Sequence, residues 1–270
     1  MEHINLLLCI NDKFVNLTLV LLKSVLANTK KSIKLFLVGN LSEPSLAKIT
    51  DLSTQISITR INGVEEKCDQ LYKWGTRWPS IILARMLVPF LVEDSIDKLL
   101  YLDVDMIANC DISEIFDINL NKKCLGVTSD KYFNSGFILF NVSEIKKQHS
   151  LEEMSQFISS FDKPLSFPDQ DLLNEFYKNE KINIGSNYNY RAWNTFMWKN
   201  PIKNGAKIIH YAGKIKPDNY KYIEWKANKP FWKYARKIYG RKTEFTVKIK
   251  SFFWYPIALL RRFIYHTGRN

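Results

Sequence analysis

A chain of 270 residues, 46% of them hydrophobic, is long enough for one large domain or for a domain with an appendage. Its net charge of +12 is unevenly placed: residues 1–202 carry 22 Lys+Arg against 24 Asp+Glu, and residues 203–270 carry 17 against 3. A nearly neutral body with a basic end argues against a nucleic-acid binder, which would carry basic patches on its folded body. The four cysteines, Cys9, Cys68, Cys110 and Cys124, form no Cys-x-x-Cys pair and read as thiols of a reducing compartment. The opening Met-Glu-His-Ile-Asn lacks a basic n-region and a cleavage site, so no signal peptide is expected. No apolar run approaches the roughly 20 residues that span a bilayer.

Ile4–Ile10 is a continuous apolar run and reads as a buried strand. Helical spacing follows over Phe14–Ala27, with Leu17, Val20, Leu21, Ser24 and Val25 on one face. Ile33–Val38 is a second strand, closed by Gly39-Asn40. Ser42 is placed to cap a helix over Leu46–Leu52, with Pro44 in its first turn. Ile56–Ile61 is a third strand, Pro79–Phe90 a helix and Lys98–Leu102 a fourth strand. This alternation predicts an α/β fold with a mostly parallel, doubly wound central sheet flanked by helices. Phe137–Asn141 reads as a strand, Asp169–Lys178 as a helix and Lys207–His210 as a short strand.

Five segments carry chemistry. At the end of Lys98–Ile107, Asp103 and Asp105 flank Val104, and strand alternation would put both carboxylates on one side. Paired carboxylates without a cation are a poor arrangement, and their hard oxygens suit Mg²⁺ or Mn²⁺, which also holds diphosphate. Arg85 interrupts the apolar helix Ile81-Ile-Leu-Ala-Arg-Met and taken alone is a snorkelling flank residue. Tyr132-Phe-Asn-Ser-Gly-Phe-Ile-Leu-Phe-Asn141 places Gly136 where a backbone or ligand can approach closely. Asp169, after Pro168, taken alone is a helix cap. The fifth segment is Ile209-His-Tyr-Ala-Gly-Lys-Ile-Lys-Pro217, in which a lone His210 reads as structural. The loop after Ile10 and the acidic pair both follow strand ends, the rim at which open α/β sheets bind ligands.

Together these pieces resemble, in order and spacing, the retaining glycosyltransferases of family 8, which have the GT-A fold. The matching pieces are the first strand and its loop, Ala-Arg at 84–85, Leu-Tyr-Leu-Asp-x-Asp, Phe-Asn-Ser-Gly, Asp-Gln-Asp-x-Leu-Asn and His-x-x-Gly-x-x-Lys-Pro, from about residue 4 to 220. The resemblance implies a UDP-hexose donor, galactose or glucose, and a glycan or glycolipid acceptor such as lipopolysaccharide. It implies that Asp103, Asp105 and His210 hold Mn²⁺ or Mg²⁺ and that Gly213 and Lys216 meet the diphosphate. Asn11, Asp12, Phe14, Val104 and Ser135 fall at donor-binding positions, and Arg85, Asn134, Asp169 and Gln170 would surround the donor sugar. Gln170 matches the position facing the anomeric carbon. Three departures stand out. The first loop reads Asn11-Asp-Lys-Phe14 where relatives carry acidic or amide residues followed by Tyr. Asp218 replaces the Trp that commonly follows Lys-Pro. Asp130 is the candidate for a further sugar contact, but the segment between it and Phe-Asn-Ser-Gly is short.

The implied reaction is hexose transfer with retained configuration. An amide at Gln170 is a weak nucleophile, so front-side attack by the acceptor hydroxyl is favoured over double displacement, with Asp169 the fallback nucleophile or electrostatic support. A catalytic domain over 1–225 is expected, followed by a helical basic extension over 226–270. Residues 231–270 interleave ten Lys+Arg with Phe245, Val247, Ile249, Phe252, Phe253, Trp254 and further apolar residues out to Tyr265. That mixture suits an anionic membrane surface and predicts a peripheral enzyme on the cytoplasmic face, with no nucleic-acid partner. The rival enzyme readings are weaker: a sugar-nucleotide pyrophosphorylase needs a Gly-rich loop after the first strand, and an Asp-x-Asp phosphohydrolase carries its pair after the first strand, not the fourth. A non-catalytic basic membrane- or nucleic-acid-binding protein leaves the acidic pair, Asp169-Gln170 and His210 unexplained.

Overall fold

Strands covered on both faces carry continuous apolar runs, and their alternate residues feed two different cores. The computed structural model describes residues 3–76, 78–192, 205–222 and 225–267. In β1 (His3–Cys9), Ile4, Leu6 and Leu8 enter one apolar cluster and Leu7 the cluster on the opposite face. Helix α1 (Val15–Asn28) returns the chain to β2 (Ser32–Val38), and α2 (Glu43–Thr50) returns it to β3 (Ile56–Arg60). These three strands are adjacent and parallel. Ser42 takes the expected N-cap position of α2, but its hydroxyl bonds Asp12 and Ser45 instead of the helix backbone.

Helix α3 (Val64–Leu71), which the sequence reading missed, and α4 (Ala84–Leu91) lead to β4 (Lys98–Leu102). The helix expected from Pro79 begins as a 3₁₀ turn over Ser80–Leu83 before α4. Strand β4 pairs in parallel with the free side of β1, so the strand order reverses between them. Such a reversal opens a crevice beyond the carboxyl ends of the two strands.

Past β4 the winding changes. Strand β5 (Met106–Ala108) leaves the main sheet, and β6 (Leu125–Val127) and β7 (Phe137–Asn141) follow, with β7 antiparallel to both β4 and β6. Helices α5 (Val142–Gln148), α6 (Leu151–Ser160) and α7 (Pro168–Phe176) precede β8 (Lys181–Asn183), which is parallel to β6. The central sheet is therefore seven-stranded, in the order β3-β2-β1-β4-β7-β6-β8, and β7 alone runs against the rest. A three-stranded sheet, β5-β10-β9, combines β5 with β9 (Tyr190–Arg191) and β10 (Ile208–His210).

Helices α8 (Trp225–Tyr239) and α9 (Arg241–Thr267) divide the basic end between two roles. Phe231, Trp232 and Ala235 of α8 are buried with Leu17 and Val20 of α1 and Ile209 of β10, so this helix packs as part of the body. Helix α9 turns Val247 and Ser251 inward, with Ser251 Oγ donating to the Tyr220 carbonyl at 2.6 Å. It leaves Phe245, Ile249, Phe252, Phe253, Ile257 and Leu260 exposed. The side chains of Leu259, Phe263, Ile264 and Tyr265 lie outside the described residues. No helix among the described residues is long and apolar enough to cross a membrane. All four cysteines are free thiols, and burial pushes the Cys9 thiol up to about 12.

Candidate active site

Asp103 and Asp105 do not sit on one face of a continuing strand. Residues 103–105 form a turn, because the chain must change sheets between β4 and β5. Main-chain bonds fix that turn: Asp103 N donates to the Gly136 carbonyl at 2.8 Å, and Tyr211 N donates to the Asp105 carbonyl at 2.9 Å. The carboxylates still converge, but on His210. His210 Nε2 lies 3.7 Å from Asp103 Oδ2 and 3.2 Å from Asp105 Oδ1. Val104 is half-buried between two apolar clusters.

His210 is held from behind by Asn189, whose Oδ1 accepts from Nδ1 at 2.9 Å. That bond fixes the ring with Nε2 toward the carboxylates. Lys216 Nζ completes the cluster, bonding Asp105 Oδ2 and the Tyr211 carbonyl. Burial alone would raise the Asp105 carboxyl, yet His210 and Lys216 hold it well below the usual carboxylate range. Gly213 has φ of +120°, a conformation that L side chains rarely adopt, and nothing occupies the space a Cβ would take.

Arg85 is no snorkelling residue. It is 8% exposed, and its Nη1 lies 3.2 Å from Asp103 Oδ1 and 3.1 Å from Asp169 Oδ2. It also donates to the Ser135 carbonyl, and its guanidinium lies 4.3 Å from the centre of the Tyr101 ring. This placement follows from strand alternation: Leu100 and Leu102 of β4 face one core, while Leu99 and Tyr101 face the core covered by α4. Asp169 does not cap its helix. Its carboxylate accepts from Ser135 Oγ at 2.7 Å, while Asp171 Oδ2 accepts from the backbone of Ser166 and Phe167. Burial raises the Asp169 carboxyl against the opposing pull of Arg85 and Ser135. Gln170 Oε1 accepts from Asn134 Nδ2 at 2.8 Å and from Ser135 N at 3.2 Å.

Asn134 closes a chain of contacts from His210 through Asn189 to Gln170: its Oδ1 accepts from Asn189 Nδ2 at 3.0 Å. Beside it opens a cleft of about 500 Å³ lined by Thr128, Tyr132, Asn134, Gln170 and Asn189. Gly136 is the spacer of this cluster, since a Cβ there would come within 2.5 Å of His210 Cε1 and 2.7 Å of Asp103 Oδ2. Asn11 and Asp12 are engaged locally: Asn11 Oδ1 accepts from Lys13 N and Asp12 Oδ1 from Ser42 N and Oγ. Phe14 is half-buried, with Lys13 Nζ 5.7 Å from its ring centre. Asp130 is exposed, and its Oδ2 accepts from Asn183 Nδ2 at 3.0 Å. Tyr101, whose hydroxyl donates to Asp103 Oδ1 at 2.6 Å, stands inside Leu-Tyr-Leu-Asp-x-Asp but was given no role of its own, and Asn189 belongs to no motif. Two carboxylates and an imidazole form a donor set for a hard divalent cation, and their ligand atoms lie within 4.8 Å of one another.

The family model described as Glycosyl transferase family 8 matches residues 5–221. A lipopolysaccharide 1,2-glucosyltransferase of Escherichia coli is 29% identical over 192 residues, which is 60% of this chain and 55% of that protein. Glycosyltransferase GlyE of Streptococcus pneumoniae is 23% identical over 179 residues, 60% of this chain and 43% of that one. The chain thus spans about half the length of these curated relatives. The solved structure of the galactosyltransferase LgtC with donor and acceptor sugar analogues matches 87% of this chain and 96% of its own, with a TM-score of 0.72 at 21% identity. That likeness establishes the GT-A fold for the mixed sheet and its flanking helices. With the family match extending from β1 through Lys216, the chain belongs to glycosyl transferase family 8.

Proposed function

We propose that this protein transfers a hexose, galactose or glucose, from a UDP-sugar to a hydroxyl of a lipid-linked surface glycan such as lipopolysaccharide, with retained anomeric configuration. The observation that carries this reading is the convergence of Asp103, Asp105, His210 and Lys216 at the β1/β4 crevice. The names of the relatives, a lipopolysaccharide glucosyltransferase and a galactosyltransferase bound to donor and acceptor analogues, support the substrate classes.

Asp103, Asp105 and His210 would hold Mn²⁺ or Mg²⁺, which supplies positive charge to the departing diphosphate when bound. Lys216 adds a second positive charge at the same point and would exchange its Asp105 contact for a phosphate oxygen. Arg85 bridges Asp103 and Asp169, so it keeps the leaving-group side and the sugar side in register. Asp169 is locked by Arg85 and Ser135, and the Gln170 oxygen already takes two hydrogen bonds. Neither is well placed to attack the anomeric carbon. The acceptor oxygen therefore forms its bond to that carbon from the side on which the carbon–phosphate oxygen bond breaks, and its proton passes to the leaving phosphate. Arg85, Asn134, Ser135 and Gln170 orient the donor sugar.

Incubating the protein with a panel of UDP-sugars and Mn²⁺, and following slow donor hydrolysis, identifies the donor. Asp103→Asn and Asp105→Asn are each expected to abolish transfer and Mn²⁺-dependent UDP binding; full activity in either variant rejects the site. A trapped glycosyl adduct on Asp169 would replace front-side attack with double displacement. The exposed apolar residues of α9, set among Lys and Arg, support attachment to the anionic face of a membrane, where each basic residue contributes about 1 kcal/mol.

A further inference from the structure

A second group of ligand-type side chains lies at the opposite end of the sheet. Cys124 immediately precedes β6 and Glu180 immediately precedes β8, and the parallel pairing of those strands sets the two residues side by side. His149 enters from the turn between α5 and α6. The Cys124 thiol donates to Glu180 Oε2 at 3.1 Å, and His149 Nε2 lies 2.7 Å from the same oxygen. Sulfur, imidazole nitrogen and carboxylate oxygen all lie within 4.8 Å of one another. Behind the imidazole, Glu153 Oε1 lies 3.2 Å from Nδ1. A carboxylate on one ring nitrogen that aims the other at two further ligands is the outer-shell arrangement of metal-binding histidines.

Tyr177 is an independent sign. It is fully buried, its ring stands edge-on to His149 with centroids 5.8 Å apart, and its hydroxyl has no hydrogen-bond partner among the described residues. A buried hydroxyl without a partner is costly, and a cation-bound water would supply one.

We infer that Cys124, His149 and Glu180 bind a divalent cation of the zinc type, at a site separate from the donor site. Ligand chemistry separates the two. Thiolate with imidazole selects zinc, whereas two carboxylates with one imidazole suit manganese or magnesium. Position separates them as well: Asp103 and Asp105 follow β4, while Cys124 and Glu180 precede strands that run the same way. A cation at the far end of the sheet takes no part in sugar transfer; it clamps the α5–α6 turn to the starts of β6 and β8. Three protein ligands leave the fourth vertex of a tetrahedron to water, beside Tyr177.

The test uses the full chain with Asp103→Asn, which weakens competition from the donor site, titrated with Co²⁺ as a coloured stand-in for Zn²⁺ and then with Zn²⁺ as competitor. The expected result is one equivalent of Co²⁺ with a thiolate-to-cobalt charge-transfer band, bleached by Zn²⁺ and absent in Cys124→Ser and His149→Gln. Glu153→Gln, at an exposed position, should weaken Co²⁺ binding by about 10-fold or more. No charge-transfer band, or a Co²⁺ affinity indifferent to Cys124→Ser, overturns the site. If Cys124→Ser fails to fold, Glu153→Gln decides, and unchanged affinity in that variant refutes the proposal.

Discussion

Gly136 shows how narrow the tolerances of the site are. Its Cα lies against the His210 ring and the Asp103 carboxylate, and any added Cβ would overlap both. Gly136→Ala must push apart two of the three side chains that would hold the cation. The expected outcome is loss of Mn²⁺-dependent UDP binding by at least ~10-fold, with a melting temperature close to that of the parent. Calorimetric titration reads the first and a thermal melt the second; unimpaired binding would show that the ligand pair adapts. Asn189 tests the same centre from behind. Asn189→Ala removes the acceptor on His210 Nδ1 and should weaken Mn²⁺ binding about 10–100-fold, whereas Asn189→Asp keeps an acceptor and should recover much of it. Equal losses in the two variants would contradict an orienting role. The sequence displayed Asp103, Asp105 and His210, but gave no hint of Asn189, because a single amide in Asn187-Tyr-Asn189 acquires meaning only when the 3₁₀ turn Ser186–Asn189 and β9 are packed beside β10.

At the scale of elements, the join between α8 and α9 is held by one carboxylate. Glu244 accepts from Arg236 Nε at 2.7 Å and Nη2 at 3.0 Å, and from Lys248 Nζ at 2.7 Å. Hydrogen bonds from Arg236, joined by Lys248 and opposed by burial, lower its carboxyl from 4.5 to about 2. A depressed folded-state value means that the stabilisation is fully present above pH 4.5 and is lost as the pH falls toward 2. Glu244→Gln should therefore melt roughly 2–4 °C lower than the parent at neutral pH, with the difference closing in acid. Paired melts across that range check it, and a pH-independent difference would assign the effect to packing. The basic end was legible as composition, yet its division was not: Phe231 and Trp232 look no different in sequence from Phe252 and Phe253, and only the contact of α8 with α1 buries the first pair.

On the scale of the whole molecule, the exposed stripe of α9 lies on the side away from its inward-facing Val247 and Ser251. Removing residues 241–270 should release the protein from anionic liposomes while donor hydrolysis continues, and Phe252→Glu with Phe253→Glu should do the same without shortening the chain. Co-sedimentation with vesicles measures this; undiminished binding would reject membrane attachment through α9. The first half of the architecture was readable because strands covered on both faces must be apolar runs of strand length, and β1 to β4 are such runs. The short strands β5, β6, β8 and β9 were missed, since two or three residues carry no periodicity; β10, equally short, was read from its apolar Ile208-Ile209. By itself the sequence determined the residue types of the site and their order along the chain. Tertiary structure alone decided their partners: the change of sheets after β4 turns Asp103 and Asp105 toward His210, and the burial of α4 on Tyr101 makes Arg85 a bridge between Asp103 and Asp169. Contacts between residues so far apart in the chain are set by how the two sheets pack, which no local pattern encodes.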